Sequence, residues 1–397
     1  MQPLRVILVM IEPPLPFGHA ATRWSYVLLK GLAKRGHRVT AFTASSKLRA
    51  IEEAKALFPW PDYDLRCYAH PQRNSLQAKW ETLRRPYSYM FGHGLRRDLG
   101  AELAHGFDVL HLEETWTGWL GRANDASKVL LNCHNLYEID QSGQSTQRLL
   151  DRLYRRLQRR TERLLLRSYP MLMTLTPRLK DAVRAIAPNT SVHVVPLSLD
   201  LALYPFVPPE RRPSEPVVSM IGSMDWYPSR SAAVRLLTRL WPAIKERVPS
   251  AKIRIVGWNA RTALKDYLGC SDLEVVENVP DTRCCFERTG VLLYAPDRGS
   301  GMKVKVLEAF AYGVPVVTTS DGVEGIPAQD GVHVGLCDED AGLIERTVRL
   351  LGDRAGQERQ RRAARQLVER CCNPETALDA VERCYAELLA QRRGSAA

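Results

Sequence analysis

No apolar run in this 397-residue chain approaches the roughly 18–20 residues a membrane-spanning helix requires, so no bilayer-crossing segment is expected. Signal-peptide character is lacking too: the apolar run 6–11 is too short for a signal core, and no small-residue cleavage site follows it. Cys-x-x-Cys does not occur. The nine cysteines are odd in number and two pairs are adjacent, Cys284-Cys285 and Cys371-Cys372. That usage suits the reduced thiols of a cytoplasmic protein better than a disulfide framework or a zinc site. His, Cys and Asp nowhere cluster at metal-ligand spacing, and no metal is expected. Aromatic-interleaved basic sheets and helix-turn-helix signals are missing as well, which argues against nucleic acid. Acidic residues are the minority, 44 against 56 basic, and the net charge of +12 favours anionic partners.

What is present reads as an α/β protein. Apolar content of 45% and charged content of 25% are those of a globular chain, and the length calls for two domains. A β-rich run at 6–11, a helix from about 21 to 35 closed by Gly36 and a strand at 38–43 open a parallel sheet. Further strands are expected at 108–112 and 128–132. Loops after strand ends gather ligand groups in open α/β sheets, which puts Gly18, His19, Glu113 and His134-Asn135 along one rim. Prolines at 196, 205, 208, 209, 213 and 216 mark 197–216 as a linker. The strand–loop–helix pattern then restarts: strand 216–221, loop 222–226, helix 231–247, and strands at 251–256, 274–277, 291–294 and 314–318. The expected domains are 1–196 and 217–372, with a helix at 377–392 returning to the first. Two Rossmann-like lobes of this kind enclose a cleft, where ligands bind.

The segment 148–167 carries eight arginines against Asp151 and Glu162, with leucines at helical spacing. This basic amphipathic helix is read as a solvated face or as a contact with an anionic membrane surface. Asp62-Tyr63-Asp64 and Asp338-Glu339-Asp340 are read as solvated loops, and Glu113-Glu114 as a surface pair or an acceptor contact.

The most telling stretch runs from Gly299 to Val317. A glycine loop (Gly299-Ser300-Gly301) leads into a short helix carrying Lys303, Lys305 and Glu308, then Gly313 and a buried strand. Backbone N–H groups at such a helix start suit phosphate. Two lysines add positive charge, and Glu308 suits the paired hydroxyls of a sugar. A nucleotide or nucleotide-sugar fits that combination.

With these elements placed, the chain resembles a glycosyltransferase of the GT-B fold, and is most similar to family 4 (group 1), the retaining sugar transferases. Leu307-Glu308-Ala309 followed by Gly313-Val314-Pro315-Val316-Val317 carries the resemblance, with Gly322-Val323-Glu324-Gly325-Ile326 and Asp330-Gly331 downstream. The resemblance implies a hexosyltransferase-type enzyme using a UDP- or GDP-type sugar donor as co-substrate, with no further cofactor. Its acceptor would be a glycan, a lipid-linked glycan or a natural product, and its place the cytoplasm, at or near the inner membrane face. By the same resemblance Glu308 holds the ribose, and the N–H groups of Gly301, Met302 and Lys303 hold the distal phosphate, with Leu307 beside them. Val279 lies near the base, Gly18 approaches the diphosphate, and His134 lies close to the transferred sugar, where it orients the sugar or aids proton transfer; His19 beside Gly18 is a further donor-binding candidate. His134, Lys305 and Glu308 are the catalytic candidates.

The chain also departs from the family. A glutamate frequent eight positions before Glu308 is Ser300 here, and Glu324 is a candidate replacement. The arginine and lysine expected after the first strand of the second lobe align with Ser223 and Pro228, near Gly222. Lys303, Lys305, Arg230 and Arg23 are then the candidate cations. These changes leave a second reading, a catalytically degenerate GT-B protein that binds nucleotide or a partner without turnover.

Overall fold

The computed structural model describes residues 2–71, 76–141, 149–279 and 281–395. The chain divides into two compact units. The described residues among 1–138, 145–199 and 374–397 form the first, and those among 139–144 and 200–373 the second.

The first unit is built on seven parallel strands: β1 (Arg5–Met10), β2 (Arg38–Ser45), β3 (Asp64–Ala69), β4 (Val109–Glu113), β5 (Val129–Cys133), β6 (Met171–Thr174) and β7 (Ser191–Val194), in the order β3-β2-β1-β4-β5-β6-β7. The inner strands β1, β4, β5 and β6 are almost wholly buried, as parallel strands covered on both faces must be. The strand order reverses between β1 and β4, the point where open α/β sheets bind ligands at their carboxyl ends.

The second unit repeats the plan with β8 (Val217–Ile221), β9 (Lys252–Gly257), β10 (Leu273–Glu277), β11 (Val291–Tyr294), β12 (Val316–Thr318) and β13 (Gly335–Leu336), ordered β10-β9-β8-β11-β12-β13. Its reversal falls between β8 and β11. The loops after those strands are 222–226 and 295–303, where the sequence places its phosphate-binding candidates.

Several expectations are corrected. The stretch 197–216 is no tether. Arg212 donates to the carbonyls of Thr289 (2.9 Å) and Gly290 (2.7 Å), and a Cβ added at Gly313 would meet the Phe206 ring at 2.2 Å. Its prolines shape a strap laid on the second unit. The helix expected at 231–247 is broken into Tyr227–Arg235, a π-turn at Leu236–Leu240, and Trp241–Arg247. Pro242 lacks an N–H and crowds the carbonyl four residues back, which the wider turn relieves. Asp64 opens β3 and pairs with Arg66 at 2.9 Å, so it is not a loop residue. Asp338 accepts from the Ser320 N–H and hydroxyl, both at 2.8 Å, and Asp340 pairs with Arg235 and Arg239.

The helix Pro374–Ser395 belongs to the first unit. Arg35 meets Glu375, Asp379 and Glu382 of this helix at 2.7–2.8 Å, and His37 Nε2 lies 2.9 Å from Glu382. Helix Ala20–Lys34 gives it a close seat at Gly31, where a Cβ would reach Leu378 at 2.3 Å.

Candidate active site

In the second unit the helix Val304–Tyr312 starts directly after the glycine loop. Its end is fixed by Gly313 (φ 71°), whose N–H bonds Phe310 O at 3.1 Å while Val314 N–H bonds Ala309 O at 2.7 Å. This paired pattern needs a left-handed residue, which glycine supplies at least cost. Glu308 and Leu307 lie buried in that helix.

Both lysines fold inward. Lys303 Nζ donates to the carbonyls of Ser300 (3.0 Å) and Gly301 (2.6 Å) and lies 4.0 Å from Glu324, so it braces the loop in which it sits. Lys305 Nζ donates to Ser229 Oγ at 2.6 Å and stands 4.3 Å from the centre of the Tyr294 ring. It also crowds Gly222, where a Cβ would meet its Cε and Nζ at 2.9 Å. Burial, reinforced by the charge of Lys303 and opposed by Glu308, pulls the Lys305 amine down to about 7. Positions 223 and 228 adjoin Gly222 and Ser229, and Lys305 brings its amine beside them from another element.

Glycines make the close approach possible. A Cβ on Gly257, at the end of β9, would fall 1.8 Å from Gly222 O, so β8 and β9 meet there only without a side chain. Ser300 is held by Asp140: its N–H (2.6 Å) and hydroxyl (2.9 Å) both donate to Asp140 Oδ1. Arg230 is exposed on helix Tyr227–Arg235, and Ser223 and Val279 are half-buried after β8 and β10. Gly301 (φ 72°) and Met302 are buried within the loop.

In the first unit the strand ends carry a buried network that the sequence did not announce. Glu113 closes β4, is 1% exposed, and is no surface residue. It accepts from Trp24 Nε1 at 3.1 Å, from Asn132 Nδ2 at 3.1 Å and from His134 Nε2 at 2.6 Å. His111 Nε2 lies 2.8 Å from its other oxygen. His134 Nδ1 faces Glu114 at 2.9 Å. Burial works against charge on His134, but Glu114 and Glu113 outweigh it and raise the ring to about 10. Burial would likewise raise Glu113, yet hydrogen bonds from His111 and His134 hold it far below the usual carboxylate range. Both His134 nitrogens therefore carry protons directed at carboxylates, and neither has a lone pair to accept one. The two carboxylates favour the protonated ring.

Glu114 has φ 72°, a strained value for a residue with a Cβ. Trp24, on helix Ala20–Lys34, ties the helix that follows Gly18 and His19 to Glu113; both of those residues are exposed, with Gly18 at φ 117°. Arg23 lies buried on the same helix. Pattern reading found His134 from its strand-end position, but its partners are scattered along the chain and left no local signal.

Comparison with known proteins agrees with this layout. The model of glycosyl transferases group 1 matches residues 215–353, and that of glycosyltransferase family 4 matches residues 21–203. No curated relative matches the sequence. Among solved structures, the sucrose-phosphate synthase of Thermosynechococcus elongatus is 18% identical, with a TM-score of 0.73 over 97% of this chain and 99% of that one. HepE of Anabaena, solved with UDP and glucose, is 13% identical with a TM-score of 0.69 over 96% and 100%. A glycosyltransferase from Rickettsia africae is 13% identical with a TM-score of 0.66 over 97% and 98%. At such identities the structural likeness establishes the fold, and the family models carry the rest. With one model on each sheet and the glycine loop, Glu308 and Gly313 in register, the chain belongs to the group 1, family 4 type of glycosyltransferases, hexosyltransferase-type enzymes of the GT-B fold.

Proposed function

We propose that the protein transfers a sugar from a UDP- or GDP-type donor to a glycan, lipid-linked glycan or natural-product acceptor, with retained configuration and without a metal. The observation that carries this reading is buried Glu308 set one turn behind a glycine loop flanked by two lysines. Charge develops on the leaving diphosphate as the glycosyl bond breaks, and N–H dipoles and cations aimed there lower the barrier. Lys305 is the cation best placed at the strand end, and Lys303 keeps the loop in shape. Glu308 accepts hydrogen bonds from the ribose. The acceptor attacks the same face that the diphosphate leaves, and the departing phosphate takes its proton. His134 contributes a fixed positive charge. HepE was solved with UDP and with UDP-glucose, which supports this class of donor.

We further propose a cytoplasmic protein docking on anionic lipid through helix Leu149–Leu166. Arg156, Arg159, Arg160, Arg163 and Arg167 line an open depression of about 510 Å³ with Leu164. Leu149, Leu150, Leu153 and Leu164 are exposed beside them, the pairing of basic and apolar groups that suits a membrane interface.

The test is release of nucleoside diphosphate from UDP- and GDP-linked sugars, with Glu308→Gln as control. Turnover that disappears in the variant supports transfer. Nucleotide binding with no release from any donor, in the presence of acceptor extracts, favours the degenerate reading.

A further inference from the structure

A cavity of about 370 Å³ opens in the second unit beside the residues that lead into β8, β9 and β11. Pro216, Ser250 and Gly290 come just before those strands. The strands run parallel, so the cavity lies at the amino end of the sheet, whereas the glycine loop follows the carboxyl end of β11. Arg354 and Gln357, from the first turn of helix Arg354–Cys371, complete the wall.

Two guanidiniums meet here. Arg354 Nη2 donates to the carbonyls of Pro213 and Ser214, both at 2.8 Å. Arg212 is 9% exposed. Its Nη1 donates to Thr289 O, and its Nη2 to Gly290 O (2.7 Å) and Gln357 Oε1 (3.2 Å), both residues of the cavity wall. These acceptors are all neutral. Each guanidinium has five N–H groups, and among the described residues Nε of both arginines and Nη1 of Arg354 find no acceptor. The carboxylates nearby are engaged elsewhere. Glu215 pairs with Lys252 at 2.6 Å, Glu358 pairs with Arg361 and Arg362, and Asp353 Oδ1 takes the Gly356 N–H at 2.7 Å. Burial, with the like charges of Arg361 and Arg354 and against Glu358, pulls the Arg212 guanidinium down to about 9.

A buried charge without a counterion is costly, and an anion in the cavity offsets that cost. Guanidinium forks match the oxygens of a phosphate, and a dianion answers two cations. The remaining wall is part aliphatic, with Val348 and Leu351, and part hydroxyl, with Ser214 and Ser250. Such a lining suits the C–H faces and hydroxyls of a sugar, and the volume is that of a small-ligand site.

We propose that this cavity binds a phosphate dianion, free or carried on a sugar, at a site separate from the donor loop. The inference does not depend on the donor reading. Its occupant lies against the helix that also clamps the far end of the Glu308 helix, where Arg361 Nε donates to Gly313 O at 2.7 Å and Arg365 Nη1 to Ala311 O at 2.6 Å.

The experiment is calorimetry on the full chain with inorganic phosphate, glucose 6-phosphate and glucose. Both phosphates are expected to bind and glucose is not. Tighter binding of the ester identifies a sugar phosphate as the occupant, and equal affinity identifies free phosphate. Arg354→Gln removes one cation, and Ser250→Glu sets a repelling carboxylate on the wall. Both positions are exposed, and an unchanged thermal midpoint without ligand reports an intact fold. Each variant is expected to weaken phosphate binding by about tenfold or more, the size of a charged hydrogen bond, while Lys305→Met at the donor loop leaves it unchanged. Wild type that binds neither phosphate overturns the proposal, as does glucose binding as well as its ester. Affinity that survives both wall variants, or is lost in Lys305→Met instead, overturns it too.

Discussion

Tyr385 and His111 stand 274 positions apart in sequence, and the tyrosine hydroxyl lies 2.6 Å from His111 Nδ1. The contact ties helix Pro374–Ser395 to a buried histidine on β4. Tyr385→Phe leaves buried Nδ1 without its partner. A loss of about 1–3 kcal/mol in denaturant unfolding is expected, the cost of one unsatisfied buried group.

The charge on His134 makes the first unit sensitive to alkali. Its folded value of about 10 lies above the ordinary 6.5. A raised basic group adds stability that is complete below about pH 6.5 and is lost as pH climbs through 10. Thermal unfolding followed from pH 6.5 to 9.5 is expected to show a falling midpoint. His134→Asn should flatten that slope; an equal slope in the variant contradicts the fixed-cation assignment.

Lys305 titrates in the opposite sense. Held down to about 7, it is largely neutral at pH 8 and gains its proton as a diphosphate arrives. Nucleotide affinity is therefore expected to fall as pH rises above 7, by at most about tenfold per pH unit. Calorimetry at pH 8 in two buffers of different ionisation enthalpy should report proton uptake. Lys305→Met is expected to bind more weakly and to lose both effects.

The arginine-lined face gives a prediction about membranes. Co-sedimentation with vesicles containing phosphatidylglycerol is expected, with little binding to pure phosphatidylcholine and release by salt. Each basic residue near such a surface is worth about 1 kcal/mol. Arg156→Glu with Arg160→Glu should then weaken binding by well over tenfold, and unchanged sedimentation removes this surface from the functional account.

Most inner strands were legible because parallel strands buried on both faces leave runs of Val, Ile and Leu, as in β1, β8 and β11. The four-residue inner strand β6 was not. Neither were the edge strands β3 and β7. Asp64, Arg66 and His193 interrupt them, since an edge needs only one apolar face. At the site, Glu308 and Gly313 were readable because helix, acid and glycine occur in one register over a few residues. Neither the inward fold of both lysines nor the grip of Asp140 on Ser300 was readable. These depend on partners brought together by the sheets, and composition along the chain carries no trace of them.

The anchoring of helix Pro374–Ser395 by Arg35, His37 and Gly31 fixes an order of assembly. The second unit is nearly continuous in sequence and has all of its residues once position 373 has left the ribosome. The first unit, whose strands are synthesised earliest, must wait with a bare groove over Gly31 until the residues beyond 374 emerge. During synthesis that groove is a surface a chaperone would have to cover.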